Sequence, residues 1–165
     1  MKKTAIFYGS TTGNTETIAK ELAEMLDADL FDVSINPADK LGLYPNLVFG
    51  TSTWGIGDLQ DDWEGFLDEL KAADLQGKTV AIFGTGDADS YADSFVDGIG
   101  IIYKAIDNKG CKIVGFTEAD DYSFDESQAF IDGHFVGLPL DEDNESQKTE
   151  RRLINWVEAL KLEIQ

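Results

Sequence analysis

The stretch Gly9-Ser10-Thr11-Thr12-Gly13-Asn14-Thr15 constrains the fold more than any other, because it joins an apolar run, Ala5 to Tyr8, to an amphipathic segment beginning near Glu16. Glycines at both ends of a hydroxyl-rich loop permit a tight strand-to-helix turn and a close backbone approach. Ser10, Thr11, Thr12 and Thr15 offer neutral hydrogen bonds, and the amides of a first helical turn point outward, where they can cradle a phosphate. A ligand-free capped turn has the same outline, since one Ser or Thr suffices for a cap. No lysine or arginine lies between Lys3 and Lys20, and no Gly-Lys-Ser/Thr follows the loop, so a nucleoside triphosphate site is excluded. Neutral hydroxyls and helix-terminal amides suit a single phosphomonoester that stays bound.

From this turn onward, strand-like and helix-like segments alternate to the end of the chain, the pattern of an α/β domain with a mostly parallel sheet. Thr4 to Tyr8 is the first strand, and Ile18, Ala19, Leu22, Ala23 and Leu26 form one helical face after it. Leu30 to Val33 reads as a second strand, Ile35 to Pro45 as a loop, and Leu47 to Thr51 as a third strand. A helix through Trp63, Phe66, Leu67 and Leu70 then leads to a fourth strand, Thr79 to Phe83. A long helix with Phe95, Ile99, Ile102 and Ile106 on its inner face ends by Gly110, ahead of a fifth strand, Lys112 to Phe116. An acidic, aromatic segment, Thr117 to His134, precedes an apolar run, Phe135 to Leu140, and a last helix capped by Thr149. In an open sheet of this kind ligands lie beyond the carboxyl ends of the strands, so the loops after strands one, three and four converge on one site.

Composition narrows the function. With 165 residues, 42% of them hydrophobic, one domain spanning residues 1–165 is expected. No apolar window is long enough for a membrane span, no signal-peptide core is visible, and Cys111 is the only cysteine. A soluble, cytoplasmic protein without an intramolecular disulfide, zinc or iron–sulfur site is the expectation. The formal charge of −19, from 32 acidic and 13 basic residues, repels nucleic acid and anionic membranes. Asp141, Asp143 and Glu145 suggest a calcium loop only until Ser146, which stands where an EF-hand requires glycine. His134 and Cys111 read as structural residues.

Trp54 and Tyr91 each lie in a Gly-rich loop at a strand end, where a core does not normally place a large ring. They read as two walls for a planar heterocycle, with about 0.5–1.5 kcal/mol per aromatic pair beyond area burial. Gly84-Thr85-Gly86 opens like a dinucleotide fingerprint, but Asp89 stands in place of the third glycine.

Four motifs now stand in order: Gly9 to Thr15; Thr53-Trp54-Gly55-Ile56-Gly57-Asp58-Leu59-Gln60 with Asp62-Trp63; Gly84 to Asp87 with Tyr91-Ala92-Asp93; and Leu140 to Asn144. With them the chain resembles the long-chain flavodoxins over essentially its whole length. The resemblance implies an open doubly wound five-stranded parallel sheet of order 2-1-3-4-5, helices on both faces, and a last strand split by an insertion at about residues 117–134. It implies one tightly but non-covalently held FMN. Ser10, Thr11, Thr12, Gly13, Asn14 and Thr15 would hold its phosphate, Thr53 and Thr85 would lie beside the ribityl chain, and Trp54 and Tyr91 would cover the two ring faces. Gly55, Ile56, Gly57, Gly86 and Asp87 would meet the ring edge, while Asp93, Asp97 and Asp143 would lie near the ribityl end.

The implied function is a low-potential one-electron carrier that cycles between semiquinone and hydroquinone; an FMN-dependent quinone-reductase-type enzyme on the same fold is the alternative. A flavin-free receiver domain would need an acidic pair after strand one, and Gly9 to Thr15 supplies none. Carboxylates at Asp58, Asp61, Asp62, Glu64, Asp87, Asp89 and Asp93 would each oppose an added negative charge by about 0.4 kcal/mol at 10 Å in water, together lowering the potential by about a hundred millivolts. Gly55, which tolerates positive φ, would let the Gly55–Ile56 peptide turn its carbonyl toward the flavin N5. The same carboxylates would face basic-surfaced redox proteins, such as a ferredoxin/flavodoxin–NADP reductase, around a monomeric carrier.

Overall fold

The computed structural model describes residues 2–165. Its first strand, β1 (Thr4–Tyr8), is buried along its whole length, and because strand side chains alternate between faces, it feeds two cores at once. Two rows across the sheet make this explicit. Leu30, Ile6, Val48, Ala81 and Val114 sit side by side and face one core. One residue further along, Phe31, Phe7, Phe49 and Ile82 face the other. A one-residue slip would exchange these faces, so the apolar runs on both sides of each strand fix the register.

The strands are parallel in the order β2 (Asp29–Asp32), β1, β3 (Asn46–Trp54), β5 (Thr79–Thr85), and then an edge position filled twice over. β6 (Lys112–Val114) pairs with Thr79 to Ala81, and β9 (Leu138–Leu140) with Phe83 to Thr85. Counted by position the order is 2-1-3-4-5, and the fifth strand is split, as the resemblance implies. Helices α1 (Asn14–Leu26) and α4 (Thr149–Lys161) cover the Ile6 face with Ile18, Leu22, Leu153 and Trp156. α2 (Asp61–Ala72) and α3 (Asp97–Ile106) cover the other with Trp63, Phe66, Ile99 and Ile102.

The split has steric causes. At Gly115 the chain leaves the sheet with φ +79, and a Cβ there would lie 2.7 Å from the Trp156 Nε1. It returns at Gly137, where a Cβ would lie 2.4 Å from the Ile82 carbonyl oxygen. The excursion thus runs from 115 to 137, slightly wider than expected. It carries a small hairpin, β7 (Phe130–Ile131) and β8 (His134–Phe135). Its aromatic cluster centres on fully buried Phe135, with Tyr122, Phe124, Phe130 and Phe95 around it.

Several boundaries differ from the sequence reading. α1 starts two residues early, at Asn14. The Ile35–Pro45 loop includes a short 3-10 helix, Ala38–Leu43, because Leu41 and Tyr44 are buried and pin it to the core. β3 runs on to Trp54 and folds back on β4 (Asp58–Leu59) as a hairpin. Phe95 precedes α3 instead of lying on it, since Val96 adopts a left-handed φ of 47° that interrupts the helix. Thr149 is the first residue of α4 and not its cap: its hydroxyl is turned onto the Glu142 carboxylate.

Candidate functional site

The loops after β1, β3 and β5 meet at one end of the sheet. Gly13 takes φ 95° ahead of α1, its amide donates to the Ser10 hydroxyl at 3.1 Å, and no side chain caps the helix. The amides of this first turn therefore stay available to a ligand. Gly9 has no room for a side chain: a Cβ would come within 2.3 Å of Gln60 Oε1 and 2.7 Å of Trp63 Cδ1. Gln60 also donates to the Thr11 hydroxyl at 3.1 Å, so a buried residue of the next loop props this one. Deeper still, Thr15 and Thr85 share a buried hydroxyl–hydroxyl bond of 3.1 Å.

A cleft of about 140 Å³ opens beside these contacts, lined by Thr12, Asn14, Ser52, Thr53, Trp54, Thr85, Gly86, Asp87, Tyr91, Glu142 and Asp143. Trp54 and Tyr91 remain 37% and 44% exposed. Clefts that enclose a ligand run to roughly 300–1,000 Å³, so a planar ligand between these rings would keep an edge in solvent. Among the described residues, no basic side chain lines the cleft. The Ser52 hydroxyl is buried there with no partner among the described residues.

On the ring side, the β3–β4 hairpin turns through Gly55 at φ 52° and Gly57 at φ 85°, and holds Ile56 almost fully exposed at its tip. On the opposite rim, Asp141 is fully buried and accepts from the Ala88 amide at 3.2 Å and from the backbone and side-chain N–H groups of Asn144. Asn144 donates onward to Asp87 at 2.8 Å, which ties the Asp87–Tyr91 loop to the end of β9. Burial acts to raise the Asp87 carboxyl, but bonds from the Ser90 amide and the Asn144 side chain outweigh it and hold the group below the usual carboxylate range. Asp143 goes the other way: burial, then the charges of Asp87 and Asp141, push it up.

A flavodoxin family model matches residues 6–156. The chain belongs to the flavodoxin family. It is 47% identical to the flavodoxin of Synechocystis sp. across 98% of this chain and 97% of that one. It is 41% identical to flavodoxin 1 of Azotobacter vinelandii across 99% and 98%. Among solved structures, Fusobacterium nucleatum flavodoxin bound to flavin mononucleotide superposes with a TM-score of 0.94 at 33% identity, covering both chains completely.

Within this flavodoxin fold, Thr12, Asn14, Thr53, Trp54, Thr85, Gly86, Asp87, Tyr91 and Asp143 line one cleft. Ser10, Thr11, Gly13 and Thr15 lie in the adjoining loop and first turn of α1, while Gly55, Ile56 and Gly57 form the neighbouring β3–β4 turn. Two expected residues lie elsewhere. Asp93 and Asp97 line a separate hollow of about 500 Å³ against the insertion, and Asp97 is occupied by the Gln128 amide at 2.7 Å. Its carboxylate is wedged between that segment and the Gly57 turn, where a Cβ on Gly57 would lie 2.5 Å from Oδ2, and it does not line the cleft. Sequence reasoning missed Gln60, Ser52, Asp141, Glu142 and Asn144. An Asp three residues before an Asn at a strand end is a turn signal that points to Asp141 and Asn144; Gln60 has no such signal, since glutamine is not a usual helix cap.

Proposed function

We infer that the whole chain acts as one FMN-binding unit, holding the cofactor in this cleft and passing single electrons between redox proteins. The observation that carries this reading is the uncapped start of α1 opening into the same cleft whose rim bears Trp54 and Tyr91. Bound FMN supplies the redox chemistry of its ring. The first-turn amides, with Thr12 and Asn14, hold the phosphate dianion without a cation. Thr53 and Thr85 flank the sugar chain, and Trp54 and Tyr91 keep water from the ring faces while leaving one edge open to a partner. Asp58, Asp61, Asp62, Asp87 and Asp89 surround that ring with negative charge, which disfavours adding more and makes the carrier strongly reducing. No helix among the described residues is long and apolar enough to cross a membrane.

The charge of −19 suits a basic-surfaced partner, of the ferredoxin/flavodoxin–NADP reductase kind, meeting a monomeric carrier in the cytoplasm. Stepwise reduction of the purified protein, followed by its visible spectrum, tests the reading. A flavin spectrum that bleaches in two resolved one-electron stages is expected; a protein that stays colourless after incubation with FMN overturns it. Electron-transfer rates to such a reductase should fall steeply with ionic strength, and flat rates would remove the steering role.

A further inference from the structure

Val96 is fully buried and carries φ 47° and ψ 34°, a left-handed conformation that a β-branched residue adopts only when its surroundings impose it. The residues around this kink are gripped from outside by the insertion. Asp125 and Glu126 donate their amides to the Ala92 carbonyl at 2.8 and 3.0 Å, and Phe95 donates to the Glu126 carbonyl at 3.3 Å. The Ser127 hydroxyl donates to the Phe95 carbonyl. Gln128 then closes a two-point bond on Asp97, its amide to Oδ1 at 2.7 Å and its Nε2 to Oδ2 at 3.2 Å.

The inner side of the same kink bears on the ring loops. A Cβ on Gly57 would lie 2.5 Å from Asp97 Oδ2, and one on Gly86 would lie 3.1 Å from both the nitrogen and Cγ1 of Val96. The Gly98 amide donates to the Thr53 hydroxyl at 2.8 Å. The kink is thus a wedge between the insertion and the two loops that carry Trp54 and Gly86. We propose that Asp125 to Gln128 of the insertion clamp the Val96 kink and through it fix the Thr53–Gly57 turn and Gly86, with Asp97 and Gln128 as positioning residues for the flavin. The flavin part rests on the FMN reading above; the clamp itself is a property of the chain.

The Ser127→Ala/Gln128→Ala double variant of the full chain removes the two side-chain hydrogen bonds of the clamp, Ser127 to the Phe95 carbonyl and Gln128 Nε2 to Asp97, without altering charge or touching the cleft. In the apoprotein, amide hydrogen exchange should become at least tenfold faster over residues 53–58 and 86–91, while residues 9–15 exchange as in the parent. FMN should dissociate about three- to tenfold more readily. Asp97→Ala should act alike, and Asp97→Asn, which keeps the Oδ1 acceptor, should restore most of the protection. Unchanged exchange in both ring loops, or a uniform rise that includes residues 9–15, overturns the clamp. Should the double variant not fold, Gln128→Ala alone is read by the same two outcomes. A parent chain that takes up no FMN defeats the cofactor reading, while the apoprotein exchange still decides the clamp.

Discussion

Two helices begin at the same end of the sheet, and they begin in opposite ways. α1 starts behind Gly13 with no side-chain cap and a single acidic residue, Glu16, in its first turn. α2 starts behind Gln60, whose side chain accepts from the Asp62 and Trp63 amides at 3.1 and 3.3 Å, and its first turn holds Asp61, Asp62 and Glu64. In α2 the free donors and the positive end of the helix dipole are already answered from within the chain. In α1 they are left for something else. Both helices pack on the sheet through similar apolar stripes, so packing does not account for the difference; one terminus is closed from within the chain and the other is left open, as the proposed phosphate anchor requires. Gln60 links the two, since the side chain that closes α2 also supports Thr11 beside the open turn.

Placing a carboxylate at the open end should break the contrast most strongly. Thr12→Asp sets a negative charge against the phosphate, and two unit charges 4 Å apart interact by about 4 kcal/mol at an effective dielectric of 20. FMN affinity is expected to fall by roughly three orders of magnitude, measured by quenching of flavin fluorescence on binding. Thr12 is exposed, so the apoprotein should keep its stability to within about 0.5 kcal/mol. Retained affinity would show that the α1 terminus is not the anion anchor.

Gly55→Val probes the loop that leads into the closed helix. A β-branched residue at φ 52° costs about 1–2 kcal/mol, and it stiffens the turn whose peptide is expected to reorient as the flavin changes its charge and protonation. The two one-electron potentials should move closer by up to about 40–80 mV, on the scale of ~59 mV per tenfold change, while phosphate anchoring survives. An affinity loss as large as that of Thr12→Asp, or an unchanged separation of potentials, would erase the division between an anchoring and a tuning side. Gln60→Ala touches both sides at once. Loss of a helix cap costs about 1 kcal/mol, so the midpoint of urea unfolding should drop by a corresponding amount, with a smaller loss of FMN affinity through Thr11.

The same comparison explains what the sequence made legible. The Gly9–Thr15 loop and the pair Trp54 and Tyr91 were readable because each depends on local chemistry: glycine where the chain turns, hydroxyls where donors are free, aromatic rings where no core needs them; the strand order came only through the family resemblance. The closing of α2 was not readable, because a glutamine cap defies the usual preference and is fixed by burial between Thr11 and Trp63. Asp97 misled for a related reason. The resemblance implied a place near the ribityl end for it, and only the fold shows Gln128, 31 residues further on, bonded to its carboxylate. The wider bounds of the insertion, from Gly115 to Gly137, follow from close approaches to Trp156 and the Ile82 carbonyl that no local pattern encodes.

The smallest expected effect lies on the cleft rim, where the fold tolerates a carboxylate it does not favour. Asp143 is pushed above its ordinary value of 3.8 by burial and by Asp87 and Asp141. A carboxyl with a raised folded-state pKa is neutral in both states at low pH and contributes nothing there. As pH rises through the window from 3.8 to its folded-state value, the unfolded chain releases its proton first, and the charge then opposes folding at every higher pH. Asp143→Asn should therefore raise apoprotein stability at pH 7, and the gain should vanish below about pH 3.8, where a carboxyl of ordinary pKa is protonated in the unfolded chain as well. Asp87 has the reverse sign, held below its ordinary value by Ser90 and Asn144 against the pull of burial. Asp87→Asn should cost stability at neutral pH and approach the parent as pH falls through the lowered folded-state value. Both residues are part-exposed at the rim, so solvent screening keeps either effect small. Paired urea titrations at pH 7 and at the acid end measure them. Equal signs for the two variants at pH 7 would mean that the hydrogen bonds of the Asp87–Asn144 network do not set the charge balance of the rim.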